Sequence, residues 1–577
     1  MDFAWLRNQI IGRDTEFETP FGSRLLTYAD YAASGRGLYF IEKALQDVQK
    51  AYGNPHTEDD YTGGKTTRLL HEAEKTIKRL LNAQNNCHVF PCGSGSTGAI
   101  LKFQQLLGLY CPPVTRELVH GALREFSDHD RQNKIAIDGL QDCIKKNRPV
   151  IFFGPYEHHS NNIMWRETGC ETVEINLSAE GEIDLEDLRN KVSDPVYRHR
   201  KKIGTFSAAS NVTGLISPVY EIARILHQQD ALACFDFAAS GPYVSIDMNR
   251  DETSYFDAVF LSPHKFLGGP GSSGLLVLNH IHYRKDLAPS VAAGGTVDYA
   301  SSFAYDFAKE AAIREQAGTP GVLQIIKAAL CLDLKDHIRV ERIRACERKW
   351  IRSAFERFSE NPNIIILGDQ EPEKRIGVFS VLIKHRDKYL HPRFAARLLN
   401  DLFGIQARAG CSCASPYGHR LLQITHRRSS AYREAIQKGC HSIKPGWLRI
   451  CFHYVMDQAE FDFICQSIDF VADWGHLFID EYEMDWRTGA WSHRDLEPQK
   501  PDESVNLERI LSAARDSVKH QNSIGREQLY RRYIDEAFGL LNDRKSSVII
   551  EFNRFRCPEV EKLRYFPVQH IKRELTG

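Results

Sequence analysis

Four polar residues of this chain, His158, Asn211, Asp236 and Lys265, each fall at or just beyond the C-terminal end of a different apolar run. The lysine lies in AVFLSPHKFLGGPGSSGLLVL, Ala258 to Leu278: an apolar strand, Ser262-Pro263-His264-Lys265, a glycine-rich turn and a second apolar strand. A single lysine is most often a solvated surface residue. One held at the rim of a sheet is different, because desolvation lowers its pKa and frees the amine to form a Schiff base with an aldehyde. An aspartate can keep a ring nitrogen protonated, and an imidazole can stack on the ring. In CHVFPCGSGSTGAILKF, Ser96 and Thr97 open a helix after a loop of small residues. Free backbone N–H groups and the positive end of a helix dipole suit a phosphate there. No Gly-Lys-Ser/Thr follows, so the loop is not a P-loop.

The elements that must position these side chains repeat as strand, loop and helix. The expected strands are Cys87 to Pro91, Pro149 to Gly154, a run from Glu171, Ile203 to Ser210, and LACFD closing on Asp236. Helices are expected at Leu38 to Tyr52, Thr67 to Leu81, from about Thr97, and at Tyr220 to Gln229. Apolar strands alternating with helices predict a mainly parallel sheet covered on both faces. Parallel strands end on one edge, so the four polar residues can converge on one ligand there. After Gly295 the pattern changes to a long helical region reaching about Phe358, strands at Asn363 to Leu367 and Ile376 to Ile383, a loop from Ala407 to His419, and a strand carrying Arg449.

Four parts are expected: an N-terminal arm (1–23), a large domain (24–300), a smaller α+β domain (301–475), and a linker with a mostly helical extension (476–577), read as a cover on the small domain or a dimer. Lysine plus arginine (74) balance aspartate plus glutamate (75), so no global field recruits nucleic acid or an anionic membrane, and a small-molecule substrate is expected. Charged residues from Asp2 to Glu16 interrupt any signal-peptide core, and no segment is apolar for the length of a membrane span. The expectation is a soluble cytoplasmic protein. Most of the fourteen cysteines sit singly in apolar patterns. Cys411 and Cys413 alone form a tight pair in a polar loop.

A Schiff-base lysine, an aspartate for a ring nitrogen, a stacking imidazole and a helix N-terminus are together the parts needed to hold pyridoxal phosphate. From about Tyr28 to about Phe470 the chain resembles the class V, fold-type I pyridoxal-phosphate aminotransferase superfamily, closest to cysteine desulfurases and selenocysteine lyases, with the motifs in family order. That resemblance implies an α/β fold with a seven-stranded, mainly parallel sheet. It implies that Lys265 carries the cofactor, that Ser96, Thr97, Ser262 and His264 bind its phosphate, that His158 of Glu157-His-His-Ser-Asn161 stacks on the ring, and that Asp236 pairs with the ring nitrogen. Asn211 is placed near the ring hydroxyl or the substrate, and Arg449 on the substrate carboxylate, a bidentate task suited to arginine. Thr319, in Ala-Gly-Thr-Pro, is similar to the residue by which a second copy completes the phosphate site, which implies a homodimer. Within Arg408-Ala-Gly-Cys-Ser-Cys-Ala414, Cys413 aligns with the sulfur-accepting cysteine.

The implied chemistry is desulfuration of L-cysteine to L-alanine: Lys265 removes the α-proton and a Cys413 thiolate takes the sulfur as a persulfide, with Arg408 or His419 as candidates to favour the thiolate, for delivery to an acceptor protein. Two departures stand out. Ala239 occupies the place where desulfurases carry a glutamine to the ring oxygen, and Ser240 offers a hydroxyl instead. Cys411 adds a second thiol, an alternative nucleophile. Cys411 and Cys413 also read as two inert loop thiols or, with His419, as three ligands of a zinc site, although no metal is assigned. Two other functions stay open: a class V enzyme acting on another amino acid without the cysteine pair, and a non-catalytic scaffold.

Overall fold

In the computed structural model, residues 1–55, 57, 59–84, 86–495, 525–544, 549–552, 561–567 and 570–572 are described. Seven strands form the principal sheet: β1 (Cys87–Pro91), β2 (Val150–Phe153), β3 (Glu171–Glu174), β4 (Lys202–Ser207), β5 (Ala231–Asp236), β6 (Ala258–Leu261) and β7 (Leu275–Asn279). Their order is β1-β7-β6-β5-β4-β2-β3. β2 to β6 pair in parallel, and only β7 runs against its neighbours. The mainly parallel sheet expected from the sequence is therefore present. Its strands are apolar throughout because successive residues face opposite sides and both sides are covered. In β6, Phe260 packs with Phe90, Phe103 and Trp165 on one face, while Val259 and Leu261 join the larger core on the other.

Helix α1 (Tyr61–Leu80) starts six residues earlier than the periodicity suggests, because the Asp60 carboxylate caps it by accepting from Gly63 N. Helix α2 (Ser96–Leu106) follows β1. A helical hairpin, α3 (Pro113–His129) and α4 (Arg131–Asn147), precedes β2. Helix α5 (Val219–His227) precedes β5. The long helical stretch is two helices, α6 (Val322–Ile338) and α7 (Val340–Glu360), because Arg339 between them has a left-handed φ of 75°.

A second sheet is antiparallel, with β8 (Ile364–Ile366), β9 (Val378–His385), β10 (Arg408–Gly410) and β11 (Trp447–Cys451) in the order β8-β9-β11-β10. The expected loop from Ala407 to His419 thus holds a strand, β10, and the start of helix α8 (Ser415–Leu421). Helices α9 (His426–Gln437) and α10 (Gln458–Trp474) flank β11 in sequence. The N-terminal segment ties the sheets together: Thr27–Tyr28 pairs in parallel with Ile405–Gln406, and Ala29 O accepts from Cys451 N.

Beyond residue 475 there is a hairpin of Tyr482–Met484 with Trp491–His493, and helix α11 (Arg526–Arg544), whose Tyr530 stacks on Phe463 of α10 at 4.2 Å. The described part of the extension covers the second sheet's helices, with strands as well as helix. Most of the expected linker, residues 496–524, lies outside the described residues. Among the described residues no helix is long and apolar enough to cross a membrane.

Candidate active site

A cavity of about 500 Å³ opens at the C-terminal edge of the principal sheet. It is lined by Ser96, Thr97, His158, Asn211, Asp236, Ser262, His264 and Lys265, and the second sheet's side adds Arg408, Ser412, Cys413 and Arg449. Residues from five strand ends are therefore brought together, as parallel topology requires.

Lys265 ends a turn of 3₁₀ helix, Pro263–Lys265, directly after β6. That turn is held from outside, since Gly35 N and Ser34 Oγ both donate to His264 O. Burial pushes the Lys265 ammonium down to about 8; the charges of Arg449 and Arg408 act in the same direction, and those of Asp236 and Asp30 oppose it. Asp236, the last residue of β5, is 3 % exposed and accepts from Ala238 N at 2.9 Å. Burial raises its carboxyl above the usual range, while the Ala238 N–H and the Lys265 charge hold it back.

His158 follows β2. Its Nδ1 accepts from Ser160 N, leaving the neutral ring's proton on Nε2, and burial with the Lys265 charge pushes its pKa down to about 4. Glu157 beside it is buried and accepts from Ser207 N (2.8 Å), Ser207 Oγ (2.6 Å) and Asn161 Nδ2 (2.7 Å), so the imidazole's loop is locked to β4. At the other end of the cavity Ser262 Oγ accepts from Ser96 N at 2.9 Å. A Cβ on Gly95 would stand 3.0 Å from Ser262 Oγ and 3.4 Å from His264 Nε2, so glycine keeps this space open at the head of α2. The loop also needs Gly274, where a Cβ would meet Gly95 O at 2.4 Å.

Asp30 is a functional residue that sequence reasoning misses; its one local signal is that it precedes a run of small residues, Ala32 to Gly35. It is 8 % exposed, and its two oxygens accept from different arginines: Oδ1 from Arg449 Nη2 and Oδ2 from Arg408 Nε, both at 2.8 Å. Arg449 Nη1 donates to Asn211 O, and Arg449 Nε is buried with no partner. Burial alone would lower the Arg408 pKa; the hydrogen bond and charge of Asp30 outweigh it and leave it raised, with a smaller contribution from Cys413 nearby.

The cysteine loop is fixed by its backbone. Ser412 and Cys413 have φ of 50° and 55°. Ser412 O accepts from Asn211 Nδ2, Ser412 Oγ from Trp447 Nε1, and Cys413 O from His159 N. Cys413 is exposed into the cavity, whereas Cys411 and His419 line a neighbouring one. Among the described residues no group of three His, Cys, Asp or Glu side chains is placed to hold a metal ion. Ser240 does not stand in for a glutamine at 239: it is fully buried, away from the cavity, which Ala238 and Ala239 line instead. Thr319 lies outside its own chain's cavity, where its hydroxyl meets the amide of Asn54.

The sequence profile of the aminotransferase class-V family matches residues 130–463. A probable cysteine desulfurase of Halalkalibacterium halodurans is 30 % identical over 431 residues, 73 % of this chain and 93 % of that protein. The chain belongs to the class-V aminotransferase family. A probable cysteine desulfurase of Streptomyces coelicolor is 28 % identical to it over 396 residues, 68 % of this chain and 84 % of that one. Among solved structures, a cysteine desulfurase of Thermococcus onnurineus shares its fold with a TM-score of 0.61 at 20 % identity, over 82 % of this chain and 98 % of that one. One from Escherichia coli gives 0.59 at 18 %, over 82 % and 99 %.

As a class-V enzyme the chain depends on pyridoxal phosphate, and its residues fit that group. The cradle at Gly95 with Ser96, Ser262 and His264 suits a phosphate. Asn211 Oδ1 is buried with no partner and suits a ring hydroxyl. Asp236 is a buried carboxylate for a ring nitrogen, and Lys265 is a desolvated amine for an aldehyde.

Proposed function

We propose that this class-V enzyme is a cysteine desulfurase, converting L-cysteine to L-alanine and leaving sulfur on Cys413 as a persulfide. The observation that carries the reading is the placement of Cys413 in the same cavity as Lys265, Asp236 and Arg449. The relatives named as probable cysteine desulfurases support it.

Bound at Lys265, pyridoxal phosphate supplies an aldehyde for the substrate amine and a ring that withdraws electrons from the α-carbon. The chain's own residues do the rest. His158 would hold the ring by stacking, and Asp236 would keep its nitrogen protonated. Arg449 takes the substrate carboxylate, using the buried Nε that has no partner in the protein, and Asp30 holds the guanidinium in place. Lys265 Nζ moves the α-proton. The Cys413 thiolate, with the Arg408 cation nearby, attacks the substrate sulfur as the carbon–sulfur bond breaks. The balance closes: the β-carbon is reduced to a methyl group while two sulfurs are joined, and the thiol protons end on alanine and the persulfide.

Thr319, exposed beside Asn54, is read as reaching the phosphate site of a second copy in a homodimer, for which the exposed Tyr299, Phe303 and Tyr305 nearby in sequence offer apolar surface. The division at residues 23, 300 and 475 is kept as part of this reading. A second reading, a class-V reaction on another amino acid, draws on Ala239, which leaves the cavity wall without a side-chain amide. Alanine and sulfide measured from cysteine, against a panel of other amino acids, decide between them. Equimolar alanine and sulfane sulfur support desulfuration; turnover of another amino acid with none from cysteine overturns it.

A further inference from the structure

The loop that carries Cys413 presents its second thiol to a different space. Cys411 lines a cavity of about 240 Å³ that shares no lining residue with the active site. Trp447 separates the two: its indole N–H donates to Ser412 Oγ on the active-site side, while the ring walls the outer cavity. The left-handed backbone at Ser412 and Cys413 turns the chain between the thiols, and the bonds from Asn211, Trp447 and His159 hold that turn. Two successive peptide units separate the Cα atoms by at most about 7 Å, the span that disulfide-forming pairs bridge. Because the thiols face different cavities across this turn, exchange between the two sulfurs requires the Ser412–Cys413 turn to open and bring one side chain past Trp447.

The outer cavity has a definite character. Tyr432, Trp447 and Ile436 give it apolar walls, Arg433 and Lys444 stand at its exposed rim, and its lining contains no carboxylate. At about 240 Å³ it is smaller than ordinary cofactor sites. Its charge complements a small acidic molecule.

We propose that Cys411 is a sulfur relay, taking the outer sulfur from Cys413 and handing it to a small acidic thiol bound in this second cavity. The proposal rests on the desulfurase reading above. In the first step the Cys411 thiolate attacks the outer sulfur of the Cys413 persulfide; the new S–S bond forms on Cys411 and the old one breaks, leaving the Cys413 thiolate. In the second step the thiolate of the acidic thiol attacks the same sulfur, becomes a persulfide and releases Cys411. One proton is exchanged at each step, and no outside oxidant or reductant is consumed.

The test uses the full-length holoenzyme, radiosulfur-labelled cysteine below one equivalent, reduced glutathione as the acidic thiol and cysteamine as a cationic one. After alkylation, fragment mass spectrometry assigns the extra sulfur to Cys411 or Cys413. The relay predicts extra sulfur on both thiols in the wild type. In Cys411→Ser and Cys411→Ala the label stops on Cys413, and its glutathione-dependent release is lost. In Arg433→Glu/Lys444→Glu, glutathione release slows and cysteamine becomes the faster acceptor. Label on Cys413 that leaves to glutathione at the wild-type rate in both Cys411 variants overturns the relay and leaves the desulfurase reading standing. No label on either thiol overturns both. An unchanged preference for glutathione in the charge-reversed variant overturns the assignment of the cavity.

Discussion

The two walls of the active-site cavity are built by different means. One wall comes from the ends of β2, β4, β5 and β6 and the head of α2, where His158, Asn211, Asp236 and Lys265 sit on or just after strands whose residues are almost all buried. The other comes from β10, β11 and the N-terminal segment, where Asp30 binds Arg408 and Arg449 and a pinned loop presents Cys413. The first wall is fixed by the sheet itself. The second is fixed by side-chain ion pairs and a few loop hydrogen bonds, so it can change without disturbing the fold. The first wall suits holding a cofactor, and the second suits choosing what is done with it.

Breaking the first wall has the largest expected effect. Lys265→Ala removes the amine proposed to move the α-proton, and alanine formation should fall on the order of 10⁴-fold, with circular dichroism unchanged. Alanine formation within tenfold of wild type would show that the proton is moved by another group. Breaking the second wall at Cys413→Ser should leave the cofactor's visible absorbance intact while sulfur release from cysteine drops to background. Full release in that variant would detach the reaction from this loop.

The third prediction concerns the ion pairs. Arg449 and Asp30 side chains are 4 % and 12 % exposed, and removing one partner of a buried pair costs about 3 kcal/mol. Asp30→Ala should therefore lower the denaturant midpoint by that equivalent and raise KM for cysteine more than it lowers kcat. A variant with unchanged stability and KM would mean that Asp30 does not position Arg449. The smallest effect expected is a pH dependence. The neutral amine is the nucleophile, and the Lys265 pKa is held at about 8. The rate at which apoprotein captures pyridoxal phosphate should rise with pH and reach half its plateau near 8. A half-rise near the ordinary lysine value would show that Lys265 is not desolvated.

The first wall was legible in the sequence because strand ends announce themselves: an apolar run followed by a polar residue fixes both the element and where its last side chain lies. Six of the seven strands share a direction, so reading the ends was nearly reading the site. Asp30 was not legible, because its role depends on Arg408 and Arg449, each roughly four hundred residues away, and nothing local marks a carboxylate that answers two distant cations. The opposed placement of Cys411 and Cys413 was also hidden. Two residues that alternate along an extended chain face the same side, and only the left-handed φ values at 412 and 413 undo that. The hairpin of α3 and α4 left a helical periodicity between residues 113 and 147, but no chemistry to draw attention to it.

The most direct test of the account is where the cofactor attaches. Lys335 is a useful rival, being buried with its pKa pushed down to about 7 by that burial; its ammonium, however, donates to the carbonyls of Gly241 and Val244. Holoenzyme should be reduced with borohydride, digested, and the pyridoxyl-bearing peptide sequenced by mass spectrometry. The account predicts the label on Lys265 alone. A label on Lys335, or on any lysine away from Asp236, would contradict it.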